Sequence, residues 1–254
     1  MFHWFRNRRR RKLLAEPFPD WWNAILERNV KHYSALLPNE RARVQDVVRV
    51  IVAEKIWEGC GGLHITEEIK LTVAASAALL LIGLENQYFE RVQSIIVYPD
   101  TFRTPQEQDD WEDDELSDVI VEGQAVYRGP VILSWSKVLH EGRFPEEGFN
   151  VVLHEFAHQL DFLSNTIDGT PPLNDAQLEA RWRSVMQDAY QRHLQDYEKG
   201  RELFFTEHAA ESETEFFADA TEAFYCRPHD LLDVEPEVYE LLMSYFRVDP
   251  RVWF

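Results

Sequence analysis

The chain has 254 residues, with 45 acidic against 26 basic side chains and a formal net charge of −19. Arg6, Arg8, Arg9, Arg10, Arg11 and Lys12 stand in the first twelve positions with no acid among them, so the rest carries −25 (20 basic minus 45 acidic). A body that acidic argues against nucleic acid as a partner, and 45% hydrophobic with 13% aromatic residues argues against a disordered chain.

Residues 1–12 read as a solvated basic tail, in preference to the alternative that their aromatic and basic side chains touch an anionic surface. No apolar run follows the arginines, so the segment is not a secretory signal. Cys60 and Cys226 are the only cysteines, too few for a disulfide framework, and a reducing, cytoplasmic setting is expected. Pro17–Asn29 has Trp21, Trp22, Ile25 and Leu26 at helical spacing. A second helix starts at Pro38, carries Val44, Val47, Val48, Ile51 and Val52, and runs to Lys55-Ile56-Trp57. The glycine-rich Glu58–Gly62 lacks the ending of a phosphate loop and reads as a turn. Thr66 then caps a helix over about 67–83. Its apolar run Val73–Leu84 is too short to cross a bilayer and reads as buried.

The character changes after residue 90. Val92–Tyr98 is a β-rich run closed by Pro99, residues 105–115 form an acidic loop, and short strands are expected at Val119–Val121, Gln124–Tyr127 and Val131–Trp135. One of these strands is expected at a sheet edge, where it could pair with an extended substrate. Ser164–Asn174 is a loop and Asp175–Tyr197 a long amphipathic helix. Helices, then a small mixed sheet, then helices give a mostly helical α+β fold.

The segment Val151–Leu163 organises this chain. Leu153, Phe156, Ala157, Leu160 and Leu163 make one apolar helical stripe, with Asn150 as its N-cap. His154-Glu155-Phe156-Ala157-His158 is an H-E-x-x-H arrangement. Its histidines lie one turn apart, roughly 40° around the axis, where both can ligate one Zn²⁺, with Glu155 as general base on an activated water. A third ligand is expected from Glu211–Tyr225, where Glu215, Asp219 and Glu222 share a helical face. Carboxylates so spaced also suit a solvated acidic face, but Phe216, Phe217, Ala218 and Ala220 favour an embedded helix. Glu215 is then the ligand, and an acid one turn on orients a ligating histidine. Asp161 reads as a supporting or helix-fixing carboxylate, and Asp168 as a loop alternative.

The pair HEFAHQLD (154–161) and TEFFADATEAFY (214–225) resembles the Mlc titration factor A family of zinc peptidases. Ala53–Lys55, Gly61–Leu63, the alanine-rich helix, Ile95–Phe102 and Val131–Trp135 extend the likeness over nearly all of the chain except the basic tail. The resemblance implies a gluzincin-like fold, related in its core to the catalytic domain of anthrax lethal factor, and aminopeptidase-like activity on peptides or proteins. It also implies zinc held by His154, His158 and Glu215, and Glu155 as base. Residues 13–254 are then one zincin-like metallopeptidase domain, with a helical part over about 13–90 and a catalytic core over about 91–254. The family commonly has a tyrosine seven residues before the ligand glutamate. His208 stands there instead, as a candidate oxyanion donor or a plain surface residue. The family name implies a rival role, the sequestration of a transcriptional repressor of sugar uptake.

Overall fold

In the computed structural model, which describes residues 2–85, 87–105, 118–121, 123–125, 129–164, 167–173 and 175–254, the chain opens with helices α1 (Phe2–Ala15), α2 (Asp20–Asn29), α3 (Lys31–Ala35) and α4 (Pro38–Glu54). Strand β1 (Ile56–Gly59) leads into α5 (Glu67–Leu79), which Thr66 caps by accepting a hydrogen bond from the Ile69 amide at 3.2 Å. Every residue from Leu71 to Leu81 is buried. A helix apolar on all sides belongs in a core. The alanines 74, 75, 77 and 78 let α2, α4, α6 (Trp135–Arg143) and α7 (Val151–Asp161) pack around it. Helical hydrogen bonding stops at Leu79, short of the expected 83, and residues 80–85 continue as turns.

The sheet has four strands in the order β1, β2 (Ser94–Tyr98), β6 (Val131–Ser134), β5 (Gly123–Ala125). The first three are parallel and β5 pairs antiparallel with β6. The expected mixed sheet is therefore present; among the described residues its edge strands are β1 and β5, and β5 lies beside α7. Ile95, Val97, Val131 and Leu133 supply its buried face. A separate antiparallel pair joins β3 (Phe102–Pro105) to β4 (Asp118–Val121). Most of the acidic loop, together with Tyr127, lies outside the described residues. Beyond the sheet come α8 (Ala176–Glu198), α9 (Glu213–Cys226), α10 (Pro228–Val234) and α11 (Pro236–Phe246).

Two expectations are corrected. Ile56 and Trp57 do not end α4. The helix stops at Glu54, and β1 pairs with β2 in the register Trp57 to Ile95. Nor are residues 2–12 an unattached tail, although most of the described side chains there are exposed. They lie in α1, whose Arg10 inserts between Glu54 (2.6 Å) and Glu90 (2.9 Å) and stacks over the Tyr88 ring. A guanidinium can enter a half-buried site when two carboxylates neutralise it and satisfy its fork of donors. At the other end of the chain, Trp253 and Phe254 pack on the ring of His32, and the Trp253 indole donates to Glu40 at 3.1 Å.

Candidate metal centre

The first turn of α7 is fixed by three acceptors. The Asn150 side chain accepts from the Leu153 amide (3.2 Å), Glu141 of α6 accepts from the Val151 amide (2.6 Å), and Glu222 of α9 accepts from the Asn150 amide. Negative groups at a helix N-terminus meet both its free amides and its dipole. The stripe of Leu153, Phe156, Ala157 and Leu160 is buried, which turns His154 and His158 toward α9.

There the histidine and glutamate side chains converge. His154 Nε2 lies 3.1 Å and His158 Nε2 3.2 Å from the same Glu215 oxygen, Oε2. Ligand bonds of 2.0–2.1 Å in a tetrahedral zinc site put neighbouring ligand atoms about 3.3 Å apart. The two nitrogen-to-oxygen separations therefore match neighbouring ligands of such a site, and the ligand atoms of the three residues lie within 4.8 Å of one another. The tautomer is arranged as well. His154 Nδ1 faces Asp219 (3.4 Å) and Glu222 (3.6 Å), which hold its proton, so Nε2, turned toward Glu215, is the nitrogen left for a metal. Donor types, spacing and outer partners all fit a divalent cation.

The electrostatics follow from these contacts. Burial disfavours a charged His154, but Asp219, Glu215 and Glu222 outweigh it and hold its pKa well above the ordinary value. Burial instead carries His158 down, with the neighbouring His154 and His208 adding to it against the hydrogen bond to Glu215; among the described residues its Nδ1 has no hydrogen-bond partner. Burial also opposes the Glu215 carboxylate, yet hydrogen bonds from His154, His158 and His208 keep it well below the usual carboxylate range. Glu155, almost fully buried, is pushed up to about 8 by desolvation.

His208 belongs to the cluster. It sits on a 3-10 turn (Glu207–Ala210), half exposed, with Nε2 3.1 Å from Glu215 Oε2 and Nδ1 2.9 Å from Glu211. Hydrogen bonding to Glu215, and then to Glu211, raises it to about 9, so both ring nitrogens carry protons at neutral pH. The turn is tied to the histidine helix through Asp219, which accepts from both the amide (2.9 Å) and the hydroxyl (2.6 Å) of Thr206.

Asp161 and Asp168 lie elsewhere. Asp161 accepts from the Gly169 amide at 3.1 Å and so fixes the loop after α7, not a histidine. Asp168 pairs with Arg183 at 3.2 Å. Gly169 has φ +70°, and a Cβ there would meet the Glu213 carbonyl at 2.4 Å. The loop thus presses on the turn of α9 that presents Glu215. Glu141 and Thr206 escaped the sequence reading. Neither stands at motif spacing, and only the packing of α6 and of the 206–210 turn brings them to the site.

A helix carrying H-E-x-x-H against a second helix carrying a glutamate is a metallopeptidase-type arrangement. The chain belongs to the family described as glucose-regulated metallo-peptidase M90, whose model matches residues 4–247 and so includes nearly all of α1. It is similar to an uncharacterized protein of Synechocystis sp., 30% identical over 98% of this chain and 91% of the relative. It is also similar to proteins named Mlc titration factor A. That of Serratia proteamaculans is 28% identical over 93% of this chain and 89% of the relative, and that of Yersinia pestis 26% over 93% and 87%.

Proposed function

We propose that the chain is a zinc-dependent peptidase in which His154, His158 and Glu215 hold the metal, Glu155 is the general base and His208 an oxyanion donor. The observation that carries this is the meeting of two imidazole Nε2 atoms at one carboxylate oxygen, at tetrahedral ligand spacing, beside a buried glutamate. When bound, zinc supplies Lewis-acid activation of water and of the scissile carbonyl. Glu155 takes the proton of the attacking water and passes it to the leaving amine. Its dry surroundings suit a carboxyl group that must hold a proton between those steps. His208 donates from Nε2 to the oxygen that gains charge. Asp219 and Glu222 keep His154 in one tautomer and one orientation. Edge strand β5 offers its backbone to an extended peptide beside α7, the strand-addition mode. Aminopeptidase-like cleavage is the specificity that the family resemblance supports.

Metal analysis and peptide hydrolysis on wild type and Glu155→Gln, side by side, test the assignment. Equal zinc in both, with turnover in wild type alone, is the expected result. Turnover retained in Glu155→Gln would refute the base, and absence of zinc from both would refute the centre.

A second reading draws on the relatives' name, Mlc titration factor A. In it the chain binds a transcriptional repressor and the metal centre is regulatory. Repressor capture that survives loss of both zinc and Glu155 would favour this reading over hydrolysis as the main task.

A further inference from the structure

Helix α1 presents a surface that the peptidase reading leaves unused. At 100° per residue, Arg6, Arg10, Leu13 and Leu14 point to one side, where Arg10 is buried against Glu54 and Glu90 and the other three are partly covered. Trp4, Phe5, Arg8, Arg9, Arg11 and Lys12 fall within the opposite arc of roughly 160°. All six are exposed, and Trp4 and Phe5 show 55% and 58% of their surface. The face contains no acid. It is also rigidly displayed, because the Arg10 clasp fixes which side turns outward.

We propose that this face docks the protein on an anionic lipid bilayer. Four cations on one helix match a sheet of lipid phosphates, and two large aromatic rings at solvent level suit the headgroup boundary, where an amphipathic ring is favoured on both sides. A nucleic-acid duplex, whose bases are already stacked, would use the cations and leave the rings without a role. The acidic remainder of the molecule does not forbid the contact. Beyond a Debye length of about 8 Å at physiological salt, its repulsion is largely screened, while α1 lies against the surface. No helix among the described residues is long and apolar enough to cross a membrane, so the attachment is peripheral.

Flotation of the full-length protein with vesicles tests this. The vesicles are phosphatidylcholine alone, or phosphatidylcholine with 30% phosphatidylglycerol, each at low and physiological salt. Binding is expected only to the anionic vesicles, weakening with salt. Each cation changed to glutamine should lower partitioning roughly fivefold. The quadruple change of Arg8, Arg9, Arg11 and Lys12 to Gln should abolish binding. Trp4→Ser with Phe5→Ser should lower it at least tenfold, whereas Lys199→Gln, an exposed cation elsewhere, should leave it unchanged. Arg10 is kept in every variant, and unchanged thermal melting confirms that the fold is intact. Equal binding to both vesicle types, or no binding to either, would overturn the proposal. So would indifference to the aromatic pair, or tighter binding of a labelled DNA duplex than of the anionic vesicles.

Discussion

Glu215 Oε2 receives three histidine nitrogens, and this one atom explains most of what the cluster can do. If His208 donates to the transition state, His208→Phe should lower kcat by roughly 10²–10³ while zinc content and KM stay near wild type. His208→Tyr, the residue the family commonly has, should restore much of that loss. Parallel steady-state kinetics on the two variants decide the point, and unchanged kcat in His208→Phe would leave the residue only structural. Asp219→Asn keeps the shape but removes the charge beside His154 Nδ1, and should weaken zinc binding roughly 10–100-fold in a chelator competition titration. The histidine pair and Glu215 were legible because a helix brings residues one turn apart together whatever the rest of the fold does. Glu141 and Thr206 were not, since their roles depend on where separate elements dock.

Among elements, α3 carries a buried histidine apart from the candidate metal centre. His32 is fully buried, its Nε2 donates to the Tyr225 carbonyl at 2.9 Å, and among the described residues its Nδ1 has no hydrogen-bond partner. Desolvation therefore lowers its pKa from 6.5 to about 4. The folded chain keeps this ring neutral while the unfolded chain protonates it, so the unfolded state binds the extra proton between those values. The stability His32 contributes is complete above about pH 6.5 and is lost as the pH falls toward 4, on the order of 3 kcal/mol in total. Denaturant titrations of wild type and His32→Gln at pH 4.5 and 7.5 should show a smaller acid loss in the variant. Equal losses would disprove it. Caps and apolar stripes made α5, α7, α8 and α9 readable. β1 escaped because its four residues follow α4 after the single residue Lys55, with no glycine or proline to mark the boundary, and α6 because a nine-residue helix begins where β6 ends.

For the whole molecule, a cation held between α7 and α9 would bind only the folded chain. The metal should then stabilise by about 4 kcal/mol when free zinc exceeds its Kd a thousandfold. Chelation should accordingly lower Tm by roughly 10 °C, read by calorimetry with and without EDTA. An unmoved Tm would place the metal elsewhere or nowhere. The α+β architecture was legible from the order of patterns along the chain, but the attachment of α1 was not. A run of arginines looks solvated until the partners of one of them, Glu54 and Glu90, are seen together.

The contacts of Trp253 bear on how the protein is made. Its indole reaches Glu40, its ring stacks on Tyr225, and with Phe254 it covers His32. Tyr225 in turn donates to the Leu79 carbonyl inside the N-terminal helices. Those helices leave the ribosome before the surfaces that bury them are translated. At about 5–20 residues per second, the early half must wait roughly ten seconds or more with its apolar faces uncovered. A ribosome stalled before residue 225 should therefore carry a protease-sensitive N-terminal half.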